Sequence, residues 1–153
     1  MNTRLTTADD IKPLQSVLDQ TELFPSEMLP EMIADFLSSD GSGDIWLTCE
    51  LDSTPIGFCY ATPEALTEGT WNMLAIAVLP SSQTHGAGSA LTNHLEKLLQ
   101  QRGHRILIAD TSGSDAFKTA RNFYHKNAFT QEARIRDFWV DGDDKIIFWK
   151  KLN

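Results

Sequence analysis

The sequence predicts an α+β fold, a mixed sheet of about seven strands with about four helices. Three observations predict it. Trp71–Leu79 is a long, largely apolar run that reads as a central strand. A helix and then a buried run at Arg105–Thr111 follow it, and strand, helix, strand at this spacing argues for parallel pairing through a right-handed crossover. Two hairpin signals, Asp52-Ser53-Thr54-Pro55 and Asp141-Gly142-Asp143-Asp144, add antiparallel pairs around that unit.

Taken in order, Thr3–Thr6 is an edge strand. Asp9 or Asp10 caps a helix in which Ile11, Leu14 and Leu18 share a face, with Pro13 in the first turn, where a proline is tolerated. A second helix covers Glu27–Leu37, with Leu29, Ile33, Phe36 and Leu37 inward. Ser38–Gly43 and Pro63–Gly69 are loops. Ile45–Leu51 and Ile56–Ala61 form the first hairpin, with Cys49 and Cys59 nearly opposite each other. Ala87, Leu91, Leu95, Leu98 and Leu99 give the crossover helix its core stripe, and Gly103 ends it as a left-handed residue. Ser114 or Asp115 caps a helix carrying Phe117, Ala120, Phe123 and Tyr124. Glu132–Val140 and Lys145–Leu152 close the chain.

The chain has 153 residues and predicts one domain over 1–153, large enough to bury a core without a staple. Thirteen Lys and Arg against 21 Asp and Glu give a net charge of −8. That disfavours nucleic acid, whose phosphates demand clustered cations, and favours cationic partners. No apolar run approaches the roughly 18 residues of a membrane span. The start lacks the apolar core of a signal peptide, and two cysteines are too few for a disulfide framework, so the protein is expected to be cytoplasmic.

The chemistry is concentrated at Gln83-x-x-Gly86-x-Gly88, a turn that opens a helix directly after the central strand. Two glycines let the backbone approach a ligand, and the unpaired N–H groups of a first helical turn favour an anion such as a phosphate or pyrophosphate. The alternative is a plain strand-to-helix turn. No Gly-Lys-Ser/Thr follows, so this is not a P-loop, and Leu91 stands where a dinucleotide fingerprint has its third glycine.

Leu74-Ala75-Ile76-Ala77-Val78-x-Pro80-x-x-Gln83-x-x-Gly86-x-Gly88-x-x-Leu91, followed by Ala120-x-x-x-Tyr124-x-x-x-x-Phe129, resembles the GNAT superfamily of acetyl-CoA-dependent N-acetyltransferases. The closing run Arg136-Asp137-Phe138-Trp139, with Gly142–Lys145 and Phe148-Trp149-Lys150, looks like one branch of it. The resemblance implies a GNAT-like domain with acetyl-CoA as cosubstrate and no metal. The amides of Gln83, Thr84, His85, Gly86, Ala87, Gly88 and Ser89 would hold the pyrophosphate. Leu74, Ala75, Ile76, Ala77 and Val78 would run beside the pantetheine arm, with an N–H near Val78 stabilising the oxyanion. Tyr124 would protonate the departing thiolate, since an ordinary phenol titrates at about 10.

Two positions depart from the family pattern. Phe117 replaces an asparagine that bonds the pantetheine in many members, with Asn122 a substitute on a different helical face. Ala128 replaces a glycine, and the neighbouring Asn127, tolerant of left-handed geometry, predicts a shifted turn. The usual strand for a general base, Trp71–Val78, holds no carboxylate, which leaves Glu64, Glu68, Asp110, Asp137 or water.

The reading is an N-acetyltransferase that moves acetyl to a primary amine of a small molecule or peptide by direct attack in a ternary complex. The alternative is an acyl-CoA-binding sensor or interaction module without catalysis. A nucleotide-binding protein is a third. Thr21–Ser39, Glu64–Trp71 and the terminal hairpin would shape the acceptor pocket, and Trp139 and Trp149 could pack a homodimer. His85 could pair with a phosphate, while His94 and His125 have no metal-ligand spacing. Lys118, Arg121 and Lys126 make a basic helix, either a solvated face or one that meets the CoA phosphates.

Overall fold

The computed structural model describes residues 1–38 and 43–153. Seven strands, β1 (Asn2–Leu5), β2 (Ile45–Leu51), β3 (Thr54–Pro63), β4 (Thr70–Val78), β5 (Ile106–Ser112), β6 (Thr130–Val140) and β7 (Asp143–Lys151), form one sheet in the order β1-β2-β3-β4-β5-β7-β6. The α-helices are α1 (Ile11–Thr21), α2 (Leu29–Leu37), α3 (Ala87–Gln101) and α4 (Lys118–Lys126). Short 3-10 turns precede all four. Of the expected loop Ser38–Gly43, residues 39–42 lie outside the described residues. The β4–β5 pair is parallel, and the pairs β1–β2, β2–β3, β5–β7 and β6–β7 are antiparallel. β1 is an edge strand and β4 the middle one, as the sequence predicts. The chain forms two compact units, Met1–Thr62 with Leu74–Leu98 and Pro63–Met73 with Leu99–Asn153.

In the first unit, the α1 and α2 stripes meet one face of the sheet. Leu14, Val17, Leu18, Leu29 and Ile33 pack with Trp46, Phe58, Ala75 and Ala77, all buried. Trp46 stacks on Tyr60 at 4.2 Å and on Phe58 at 5.8 Å, which its register opposite Tyr60 and beside Phe58 dictates. Pro30 lies in the first turn of α2, where its missing N–H costs nothing. The β2–β3 loop is only Asp52-Ser53, both left-handed at φ 49° and 63°. That two-residue geometry matches the twist of the strands and starts β3 earlier than expected. Cys49 faces Gly57 and Cys59 faces Leu47, so the cysteines are two positions out of register rather than opposite. Both are buried and free, and burial pushes the Cys59 thiol up to about 12.

β1 is tied to the entry of α1 by charge. Arg4 grips Asp10 through two N–H groups, at 2.7 and 2.9 Å, and Glu50 through Nη2 at 2.9 Å. Burial works against the Asp10 carboxylate, yet bonds from Arg4 and the Thr7 N–H hold it below the usual carboxylate range.

In the second unit, β5 and β7 pair over seven residues and α4 covers one face. Tyr124 stacks on Phe148 at 5.0 Å and meets Phe129 edge-on at 5.5 Å. Lys150 Nζ donates to the Asn127 carbonyl at 2.8 Å, clasping the end of α4. There Ala128, not Asn127, is the left-handed residue, at φ 65°. The turn has therefore not shifted. It keeps its place at a steric cost of about 1–2 kcal/mol that a glycine would avoid. β6 is exposed along its length and irregular, with Asp137 left-handed at φ 55°.

Candidate functional site

In the first unit the candidate site is a backbone turn. β4 ends at Val78, a 3-10 turn runs Pro80–His85, and Gly86 at φ 85° swings the chain into α3. No side chain but glycine takes that conformation without strain. The first intrahelical bond runs from the Ala90 N–H to the Gly86 carbonyl, at 2.9 Å. The amides of Ala87, Gly88 and Ser89 therefore precede the helical ladder. A Cβ at Gly86 would meet nothing within 4 Å, so the turn opens onto free space. The Gln83 side chain donates to the Val78 carbonyl at 3.0 Å and pins the turn to the strand, while the Leu79 N–H is taken by the Ile56 carbonyl at 2.8 Å. Thr84, His85 and Gly86 are exposed. Along β4, Ala75, Ala77 and Val78 are buried, but Leu74 is 51% exposed and Ile76 is half-buried, an apolar strip open to a ligand. The β4–β5 ladder covers only Thr70–Asn72 against Ile106–Ile108. The turn is a fit for a pyrophosphate, because it offers three N–H groups ahead of the helical ladder, the positive end of a 15-residue helix and no acidic side chain.

In the second unit the candidate groups are side chains. Tyr124 is 5% exposed and held by the ring contacts already described. Asn122 is exposed, on another face of α4, and Phe117 is 44% exposed at the helix entry. Of the four carboxylates, Glu68 is exposed in the β3–β4 loop. Asp137 accepts the Gly142 N–H at 2.8 Å and donates its own N–H to Asp144 at 2.9 Å, which makes it a turn residue.

Glu64 and Asp110 come together through a residue that sequence reasoning missed. Asn72 Nδ2 donates to Glu64 Oε1 at 2.9 Å and lies 3.4 Å from Asp110 Oδ2. Lys145 Nζ is 3.2 Å from the same Asp110 oxygen and sits 4.2 Å from the Phe138 ring centroid. Asn72 is 4% exposed. The available signal was its being the one polar side chain in the run Trp71–Val78.

Arg121 Nη1 donates to the carbonyls of Ser112 and Ser114 at 2.8 and 2.7 Å, joining α4 to the end of β5, while Lys118 and Lys126 are exposed. His94 bonds Thr3 Oγ1 at 2.8 Å and His125 packs edge-on against Phe148. Trp139 is 46% exposed and Trp149 half-buried. Among the described residues no group of three His, Cys, Asp or Glu could hold a metal, and no helix is long and apolar enough to cross a membrane.

The sequence model of the acetyltransferase (GNAT) family matches residues 10–129. A crystal structure assigned to that family from Desulfovibrio desulfuricans is 28% identical, covers 99% of both chains and superposes with a TM-score of 0.92. An aminoglycoside 6'-N-acetyltransferase complexed with coenzyme A is 17% identical, with 100% of this chain and 98% of that one covered and a TM-score of 0.82. The ribosomal-protein-S18-alanine N-acetyltransferase of Escherichia coli is 18% identical, with 99% and 94% covered and a TM-score of 0.79. No curated protein sequence gives a match.

Proposed function

The chain belongs to the GNAT acetyltransferase family, and from that premise we propose that it transfers acetyl from acetyl-CoA to a primary amine of a small molecule or peptide, by direct attack in a ternary complex. The observation that carries this reading is the Gln83–Ser89 turn, with its left-handed Gly86 and three amides ahead of the α3 ladder. In this reading those amides bind the pyrophosphate and Gln83 keeps the turn on its strand. The open strip at Leu74 and Ile76, with Ala75, Ala77 and Val78, lies along the pantetheine arm, and the Val78 N–H faces the developing oxyanion. Tyr124 gives its proton to the thiolate as the C–S bond breaks. Asn122 is the candidate for the pantetheine contact missing at Phe117. The aminoglycoside and ribosomal-protein relatives support an amine acceptor by name, and the net charge of −8 favours a cationic one.

A reducing cytoplasm suits two buried free thiols, and self-association through the exposed Phe138, Trp139 and Val140 of edge strand β6 belongs to the same proposal. Titration calorimetry tests the core of the reading. Acetyl-CoA is expected to bind in the micromolar range, in preference to ATP or NAD. A folded protein that binds no CoA at millimolar ligand overturns it.

A further inference from the structure

The Glu64–Asn72–Asp110–Lys145 group contains more acceptors than its own donors satisfy. Asn72 Nδ2 faces both carboxylates, which fixes which end of the amide is nitrogen. Its Oδ1 is then an acceptor, buried and without a protein partner among the described residues, and Asp110 Oδ1 is a second. Asn72 bonds Glu64 through Oε1, no bond to Oε2 is seen among the described residues, and this side chain is half-buried rather than sealed. Buried oxygens of this kind demand donors, and an alkylammonium supplies three N–H groups from one centre. Charge gives the same answer. Two carboxylates against one lysine leave a single negative charge in the group, enough for one cation.

Register places this group relative to Tyr124. Ala109 pairs with Phe148, on the face where Tyr124 stacks, whereas Asp110 pairs with Ile147 and Asn72 with Ile108, on the other face. That other face also carries Trp149, opposite Ile108, and Ile108, Ile147 and Trp149 are all half-buried. A polar corner with one net negative charge thus borders an aromatic and aliphatic surface.

We propose that Glu64, Asn72 and Asp110 form the acceptor site, that its ligand is a primary monoamine on an apolar or aromatic body, and that Glu64 takes the amine's proton. This rests on the acetyltransferase reading above. The ammonium gives one proton to Glu64 and its lone pair attacks the thioester carbonyl. The C–S bond breaks, the nitrogen releases its second proton to solvent, and the thiolate takes the proton of Tyr124 on the opposite face. Glu64 then gives its proton to solvent and Tyr124 takes one back from solvent, so each turnover releases one net proton. Asn72 is a positioning residue that holds Glu64 through Oε1 and leaves Oε2 for the amine.

The test uses phenethylamine and butane-1,4-diamine as acceptors and reads CoA thiol release, with acetyl-CoA affinity measured separately by calorimetry. Wild type is expected to prefer phenethylamine. Glu64→Gln keeps the oxygen that Asn72 bonds, so it should fold and bind acetyl-CoA within about threefold of wild type. Its kcat/KM for phenethylamine should fall about a hundredfold at pH 7, the low end for a positioned base. The loss should shrink to a few fold near pH 9.5, where the free amine, with a pKa of about 10, needs no base. Asn72→Ala should lose about tenfold with the same recovery at high pH, a pattern that a merely structural residue would not give. Lys145→Gln should shift preference at least tenfold toward the diamine. A Glu64→Gln variant with wild-type kcat/KM at pH 7 overturns the proposal, as does a wild type that binds acetyl-CoA but favours the diamine. Failure to bind acetyl-CoA at all overturns the wider reading instead.

Discussion

The turn at Gln83–Ser89 and the carboxylate group at Glu64, Asn72 and Asp110 serve the same proposed reaction by opposite means. The turn works through backbone N–H groups, and seven consecutive residues contain everything it needs. The carboxylate group works through side chains from the β3–β4 loop, β4, β5 and β7, separated by up to about eighty positions in the chain. A backbone site is made by local conformation, which glycine controls directly. A side-chain site needs strands that are remote in sequence to come into register, and a one-residue slip would send each side chain to the other face.

Three substitutions test that comparison. Tyr124→Phe has the largest expected effect, because it acts on chemistry. It removes one oxygen and keeps the ring against Phe148 and Phe129, so kcat should fall about tenfold to a hundredfold while acetyl-CoA affinity stays within about threefold. Unchanged kcat, with chemistry shown to be rate-limiting, would leave water as the acid. Gly88→Glu is next. Gly88 lies in the first turn of α3, so the variant puts a carboxylate at a proposed pyrophosphate site with no demand for left-handed backbone. Calorimetry should find acetyl-CoA bound at least tenfold more weakly, with kcat at saturation close to wild type. Equal binding would reduce the turn to a structural feature. If each variant moved both constants alike, the division of labour would fail.

Arg4→Met should have the smallest effect on activity, since Arg4 belongs to neither region and to no proposed catalytic step. Breaking its contact with the buried Asp10 should cost about 1–2 kcal/mol of stability at pH 7, less than a fully buried pair because Arg4 is partly exposed, and Glu50 adds little. The sign follows from the depressed carboxyls of Asp10 and Glu50. Their contribution is full above the unfolded carboxylate pKa of about 4 and is lost as pH falls through the lower folded values. Urea melts should therefore show a gap between wild type and variant at pH 7 that closes in acid. A gap that stays constant would mean the ion pairs are not its origin.

Periodicity and turn chemistry made most of the fold legible. The strands at Ile45–Leu51 and around Trp71–Val78, the glycine stop at Gly103 and the Asp141-Gly142 hairpin are each set by neighbouring residues. The errors lie where a local preference met a tertiary demand. Asn127 is the better left-handed residue on propensity, yet Ala128 takes that conformation, because the clasp of Lys150 on the Asn127 carbonyl and the packing of Phe129 against Tyr124 fix the phase of the turn. Cys49 and Cys59 fall out of register because a two-residue loop and a register shift between Cys49 and Glu50 together set the β2–β3 pairing. Glu64 and Asp110 were visible as candidates, but nothing linear joins them.

By itself, then, the sequence determined the order of elements, the glycine turn with its anion-seeking amides and the family to which the chain belongs, because conformation at a turn or along an amphipathic helix depends on residues within a few positions. Only the tertiary structure decided that Asn72 bridges Glu64 and Asp110, that Lys145 balances one of them and that Asp137 serves a turn. Those contacts depend on the pairing of β4 with β5 and of β5 with β7, and the register of a strand pair is fixed by packing across the whole sheet rather than by the residues that happen to meet.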